Sequence, residues 1–417
     1  METDAIKLVT VQQAREGILA NLPAGLGDEV LPLSQAAGRV AAGELVSPLA
    51  LPPFANSAVD GYALRDLRLA AGETALLHLI GRSAAGRPYD GPALAAGQAL
   101  RILTGAAVPP EADAVVMQEQ TVLTGDRLEV QGPIRNGDHV RLAGSDVAAG
   151  QSILAGGDLL HPARIALLAA AGRTEARVHR PVRVAVFATG DELLPPGVQL
   201  GPGQIHESNR ALLLGLLQAP WLRTIDLGIV ADDPALLGRS LSRAAEEADV
   251  IVTSGGVSVG DTDHMPRLLA ELGRLNLWKV AVKPGKPLAV GSIGAAQYFG
   301  LPGNPVSAAV TLLVFVLPAL RRLAGLPDPL PRLWPVRLRD GLSHRPGREE
   351  YLRGRWVDGP ATDGDLWAVA LSGQASHQLT GMAAADCLLR VAADRGDLPA
   401  GSLVEALPLP WSRGLPA

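Results

Sequence analysis

Between residues 180 and 325 the chain alternates short, β-branched apolar runs with helix-length stretches. That alternation constrains the fold more than any other feature. Arg183–Ala188, Thr224–Val230, Val250–Thr253 and Leu277–Val282 read as strands, followed by Leu288–Val290 and Tyr298–Gly300. Helices are expected from Ser208 to Gln218, from Pro234 to Glu247, up to Leu272 and from Pro305 to Ala324, with Ser208 as the first helix's cap. Repeated strand-loop-helix units predict a mostly parallel sheet covered on both faces.

The flanking segments read differently. Residues 8–47 and 146–178 predict a helical linker domain, with helical periodicity over Val11–Leu22, an alanine-rich Pro32–Leu45 and a helix from Pro162 to Ala171. Residues 48–145 are rich in Gly and Pro and carry short β-like runs at Ala99–Leu103, Ala114–Met117 and Leu128–Val130. They read as a β-rich domain inserted between the two linker halves. After a Pro-rich link at 325–335, residues 336–411 predict a small β-barrel-like domain. The expected class is thus multidomain α/β, with residues 180–325 as its central parallel domain.

Composition excludes several functions. A net charge of −5 with 3% aromatics argues against a nucleic-acid surface. Cys387 is the single cysteine, which rules out an internal disulfide and a thiolate zinc site; a buried thiol is expected. The apolar run Ala308–Leu320 is shorter than the roughly 20 residues a membrane span needs, and residues 1–11 lack a signal-peptide core. A cytoplasmic protein without membrane or nucleic-acid partners is the expectation.

In open α/β sheets, ligands bind beyond the carboxyl ends of the strands. The chemically distinctive residues collect in those loops: Asp191 and Glu192, Asp232 and Asp233, Asp261 and Asp263, then Lys279, Lys283 and Lys286. The chain has four lysines against thirty-three arginines, and three of the four fall within eight residues. A compact ammonium suits phosphate binding and proton transfer. Ser254-Gly-Gly-Val-Ser-Val-Gly260 matches neither a Walker A loop nor a dinucleotide fingerprint. Its glycines still let the backbone approach an anion at a helix N-terminus. Beside Asp261 and Asp263 it resembles a phosphate cradle next to a divalent-cation site. Pro302-Gly-Asn304-Pro305 reads as a stiff turn opening a helix.

Six segments then resemble one family in its order. They are Leu51-Pro-Pro-Phe-Ala-Asn-Ser-Ala-Val-Asp-Gly-Tyr62, Arg101-Ile-Leu-Thr-Gly-Ala106, Val186-Phe-Ala-Thr-Gly-Asp-Glu-Leu193, Thr253-Ser-Gly-Gly-Val-Ser-Val-Gly260, Lys283-Pro-Gly-Lys-Pro287 and Gly300-Leu-Pro-Gly-Asn-Pro-Val-Ser307. The resemblance is to the molybdopterin molybdenumtransferases, bacterial MoeA and the E domain of gephyrin. It implies four domains and an elongated homodimer whose cleft is completed by the partner's β-rich domain. It also implies insertion of molybdate into adenylylated molybdopterin, with Mg²⁺ and release of AMP. An adenylylating enzyme and apo-molybdoenzymes would be its partners.

By the same resemblance Asp60, Thr104, Glu192, Asp232, Asp263, Lys279 and Lys283 match the family's catalytic positions. Glu192 and Asp263 would hold the metal. Ser254, Gly255, Gly256, Ser258, Gly260, Lys286, Pro302 and Asn304 would bind the ligand, with Arg353 and Ser376 approaching its edge. Three positions depart from the pattern: Val59 for a methionine, Ser145 for the glutamate beside Asp146, and His206-Glu207 for Tyr-Asp. A scaffold without turnover, a tungstate-preferring insertase and a generic phosphotransferase are the competing readings.

Overall fold

The computed structural model describes residues 8–23, 25–256, 264–360 and 364–412. Its centre is a seven-stranded sheet. Its order is Leu8–Val9, Gly273–Val280, Pro287–Ile293, Ala296–Leu301, Val250–Ser254, Val182–Thr189 and Leu222–Val230. The pairs around Val182–Thr189 and Val250–Ser254 are parallel. Pro287–Ile293 is antiparallel to both its neighbours, so the sheet is mixed at one side.

The alternating strand residues explain the layers. Val184 and Val186 face one apolar cluster, Ala185 and Phe187 the other, and all four are fully buried. Each large apolar side chain buried this way contributes about 1.5–3 kcal/mol. One layer holds Pro234–Glu247 and Met265–Leu272. The other holds Asn209–Leu216 and the long helical segment Pro305–Leu323.

That long segment exceeds the apolar run within it. By length and composition it could cross a membrane, yet 83% of its most apolar window is buried inside the molecule. It contains a wider π turn at Leu312–Val316 before Pro318. Pro318 has no N–H to give the carbonyl four residues back. Arg15 Nε donates to that carbonyl, Val314 O, at 3.0 Å.

Arg15 lies on the helix Val11–Ala20, which opens with a reciprocal Thr10–Gln13 capping box. The helix buries Val11, Ala14 and Ile18 in the core of the central body. This corrects the helical-linker expectation for that segment. The linker itself is mostly extended. Asp28–Pro32 pairs with Glu175–His179, and Leu45–Val46 with Ser152–Leu154, around one helix at Pro162–Ala170. Alanine-rich Pro32–Leu45 has a 3₁₀ turn at Leu33–Gln35 as its single helical element. Gly38, at φ 74°, adopts the left-handed conformation that ends helices. Ser208 also departs from expectation: its side chain does not cap the helix, and Glu207 Oε1 accepts from the Arg210 N–H at 2.6 Å instead.

Residues 56–131 contain a six-stranded sheet, from Ala114–Met117 at one edge to Thr121–Thr124 at the other. The C-terminal strands close into a barrel, because Glu349–Val357 pairs with both Trp367–Ala370 and Cys387–Val391. Cys387 is buried there, and burial pushes its thiol well above the usual range, as expected of an inert thiol. The strand predicted over Leu277–Val282 is in fact divided. Gly273–Val280 stays in the central sheet, and Val282–Lys283 joins the barrel, beside Glu349 and Glu350.

Asp249 fixes the chain where it enters the central sheet. Its carboxylate accepts from Arg180 at 2.7 and 2.8 Å, from Arg183 Nη2 at 3.0 Å and from the Arg183 N–H at 2.9 Å. Burial alone would raise its pKa. The arginine hydrogen bonds outweigh that and hold it far below the ordinary carboxylate value. A depressed pKa contributes stability above the unfolded value of about 3.9, and that stability is lost as pH falls below it. Asp249→Asn should therefore cost about 2 kcal/mol at neutral pH, less than a fully buried pair because both arginines can rehydrate. In urea unfolding the deficit should narrow below about pH 4; an equal deficit at every pH would contradict this assignment.

Candidate active site

Strand register brings the loop residues to one edge. Ala188 lies beside Ser254, Ser254 beside Leu301, Ala289 beside Gly300, and Pro287 beside Lys279. Pro287–Ile293 runs antiparallel, so it enters the sheet at this edge. The residues just before it, Lys283 and Lys286, therefore share the edge with the carboxyl ends of the parallel strands.

The first anion loop is shaped by two glycines. Gly255 and Gly256 have φ of 93° and 65°, and their closeness to neighbours excludes a side chain. A Cβ on Gly255 would stand 2.4 Å from the Thr189 carbonyl, and one on Gly256 2.5 Å from Met265. Ser254 and the Pro302-Gly303-Asn304 turn are braced together by Asn209. Its Nδ2 lies 2.7 Å from Ser254 Oγ and 2.7 Å from Gly303 O. Asn209 was not among the predicted site residues. The signal was a polar residue at the first turn of a helix aimed at the carboxyl edge.

The acids sit on the adjoining loops. The Thr189 hydroxyl donates to the Asp232 carboxylate, and the Asp232 N–H donates to Asp191 Oδ1 at 3.1 Å. Glu192 is exposed and folds its carboxylate back over Gly190. Asp233 instead caps its helix through Leu236 N–H at 2.8 Å. Ser258, Gly260, Asp261 and Asp263 lie outside the described residues. Among the described residues no three His, Cys, Asp or Glu side chains form a metal cluster. Of the two expected metal ligands only Glu192 is described, and its carboxylate oxygens are of the hard kind that Mg²⁺ takes.

The C-terminal barrel closes the other side. Lys283 Nζ is 2.6 Å from Glu350. The Ser376 carbonyl accepts from the Val306 N–H at 3.1 Å, which places Ser376 beside Asn304 and the start of the long helix. Arg353 differs from its expected place at the ligand's edge. It is fully buried beneath the 373–378 loop, donating from Nη2 to Gly373 O at 2.6 Å and Ala375 O at 3.2 Å. Its Nε and Nη1 have no partner among the described residues, and burial lowers its pKa. An arginine placed so holds the Ser376 loop from below.

Asp60 and Thr104 form a second, separate centre. The Asp60 carboxylate accepts from the Thr104 N–H and hydroxyl, both at 2.7 Å. The backbone hydrogen bond is the larger cause, and the hydroxyl the next, of a pKa below the ordinary carboxylate value. Both residues are exposed. Among the described residues, no hydrogen bond or ion pair joins 53–143 to 180–325. The structure thus sets Glu192, Asp232, Ser254, Gly255, Gly256, Lys279, Lys283, Lys286, Pro302, Asn304 and Ser376 on or beside one edge of the central sheet, and no hydrogen bond or ion pair among the described residues ties Asp60 and Thr104 to it.

Residues 9–172 match the family model described as "MoeA N-terminal region (domain I and II)". Residues 185–322 match "Probable molybdopterin binding domain", and residues 335–409 match "MoeA C-terminal region (domain IV)". The molybdopterin molybdenumtransferase of Haemophilus influenzae is 36% identical over 408 residues, 96% of this chain and 98% of the relative. The chain belongs to the molybdopterin molybdenumtransferase family. A relative of the same name from Nostoc is 40% identical over 342 residues, 79% of this chain and 78% of its own. Among solved structures, the molybdopterin biosynthesis moeA protein of Pyrococcus horikoshii OT3 aligns with a TM-score of 0.83 at 27% identity. It covers 97% of this chain and 100% of its own. Membership makes this chain one of a family of transferases acting on molybdopterin.

The Asp60 centre yields a direct test. Thr104→Val removes the hydroxyl donor and keeps the backbone one. The Asp60 pKa, followed by carboxyl-carbon NMR titration, should rise part of the way to about 3.9. An unchanged value would mean that the hydroxyl does not hold the carboxylate.

Proposed function

We propose that this protein inserts molybdate into adenylylated molybdopterin and releases AMP. The observation that carries the reading is the convergence of a glycine anion loop, an acid pair and three lysines on one sheet edge. Ligand phosphate oxygens rest on the backbone around Gly255 and Gly256 and on Lys283 and Lys286. Helix starts and oriented N–H groups favour negative charge there. Lys279, beside Pro287 on the same edge, neutralises the tetrahedral oxyanion. Pro302 and Asn304 bound the ligand from the helix side, and Ser376, held by Arg353, from the barrel side.

Glu192 and Asp263 would hold Mg²⁺, which supplies charge neutralisation at the phosphoanhydride when bound. Asp232 is oriented by Thr189 and Asp191 and accepts protons or hydrogen bonds beside it. Asp60, kept ionised by Thr104, positions a water or an oxo group of the molybdate. Since Asp60 and Thr104 stand apart from the cleft of their own chain, the β-rich part of a second copy would carry them to it. The working unit is then a homodimer with two shared clefts.

Reconstitution tests the reading. Purified protein given adenylylated molybdopterin, Mg²⁺ and molybdate should release AMP only when molybdate is present, and should activate an apo-molybdoenzyme in step. Lys279→Ala should reduce both at least about tenfold, the scale of one lost charge-assisted contact. Ligand binding without AMP release would make the cleft a scaffold. Release indifferent to molybdate would make the protein a hydrolase of the adenylylated ligand.

A further inference from the structure

Lys283 is the one cleft lysine whose ammonium is anchored by a carboxylate among the described residues, and the anchor comes from another part of the chain. Val282 and Lys283 form a strand beside Glu349 and Glu350 of the barrel. The main chain therefore sets Lys283 next to Glu350, and the side chains then meet at 2.6 Å. Their exposures are unequal. The Glu350 side chain is 8% exposed, while that of Lys283 is half exposed. A surface pair of two flexible side chains contributes little. Here the acid is buried and the base alone is exposed.

A held ring backs the acid. His344 is buried, and its Nε2 lies 3.8 Å from Glu350 Oε2. Its Nδ1 is 2.8 Å from Arg395 O, and its Nε2 is 3.1 Å from Arg348 O. The His344 N–H donates to Asp397 at 2.9 Å, which locks the backbone as well. Two carbonyls therefore hold the imidazole ring, which stands behind the buried Glu350 side chain. An ammonium has three donors, and one carboxylate leaves donors for a second acceptor.

We propose that Glu350 is a positioning residue for the cleft: it pre-orders the Lys283 ammonium, so that an anionic ligand meets a placed charge and not a freely rotating side chain. The inference rests on the reading of the cleft as an anion-binding site. Ordering a lysine on ligand binding costs side-chain entropy, and a partner that orders it beforehand removes that cost. The barrel thereby shares in anion binding through Lys283, without Glu350 touching the ligand.

A double-mutant cycle on the full-length protein tests this, with adenylylated molybdopterin as the titrated ligand. Lys283→Ala should weaken binding, and Glu350→Gln should weaken it about five- to tenfold, within the usual coupling of contacting residues. Glu350→Asp keeps the charge and should return affinity to within about twofold of wild type. The double variant should bind no worse than Lys283→Ala alone. A second readout needs no ligand: acetylation of the Lys283 amine, followed by mass spectrometry. Losing the carboxylate frees the amine, so Glu350→Gln should speed labelling of Lys283 and leave Lys286 unchanged. If Lys283→Ala binds normally, the anion-site reading of this lysine fails, and the inference with it. If Lys283→Ala is impaired but the double variant shows both losses multiplied, Glu350 acts independently and the proposal falls alone. Equal or tighter binding by Glu350→Gln also overturns it.

Discussion

The main-chain pairing of Val282–Lys283 with Glu349–Glu350 decides how the cleft is built. The chain leaves the central sheet at Val280 and enters the barrel two residues later. It then returns to the central sheet at Pro287, and the Val280 N–H donates to the Lys286 carbonyl at 2.8 Å to close the loop. A loop tethered at both ends and bonded to a second sheet in its middle has little freedom. Three ammonium groups are thus presented from a stiff support, and the two walls of the cleft are linked through one strand.

Other parts of the molecule support that support. Arg15 bonds both the Val314 carbonyl and, at 3.3 Å, the Tyr351 hydroxyl. Tyr351 donates to Glu349 at 2.7 Å, and Glu349 accepts from Arg390 at 2.8 Å. Burial would raise the Glu349 pKa, but its hydrogen bonds to Arg390 and Tyr351 keep it below the ordinary value. This charged network joins the first helix, the long core helix and the barrel strand that carries Glu350. Such a network is costly to break at one member, because the partners stay buried. It fixes relative placement, which an apolar contact specifies less sharply.

Much of this was legible in the sequence, for stated physical reasons. The central strands alternate with helices and show two-sided burial, so their order of appearance reads directly as an α/β layer. The cleft loops were found because charge and glycine collect after strands. Pairing partners were harder to read. Nothing local distinguishes Val282–Lys283 as a barrel strand from the end of Gly273–Val280, since the difference lies in contacts with residues 349 and 350. The hairpin of Pro287–Ile293 and Ala296–Leu301 makes one side antiparallel for the same reason. Composition misled at Pro32–Leu45, where alanines suit a helix but Gly38 and the bridges of Val40 and Ala41 to Leu159 and Val178 require extended chain. Arg353 could not be placed inside the barrel from its sequence neighbours, because arginine is rarely fully buried.

The central proposal is that a working cleft takes its acids and lysines from one chain and Asp60 with Thr104 from another. Subunit mixing tests it most directly. Asp60→Asn and Lys279→Ala proteins, each expected to insert molybdenum poorly alone, are co-expressed with different tags and purified as mixed dimers. In a mixed dimer one cleft carries both defects and the other carries none. The account predicts that molybdenum insertion returns to about half the wild-type rate per mixed dimer, one sound cleft of two. Mixed dimers as inactive as either parent would contradict it, and would put both groups to work within a single chain.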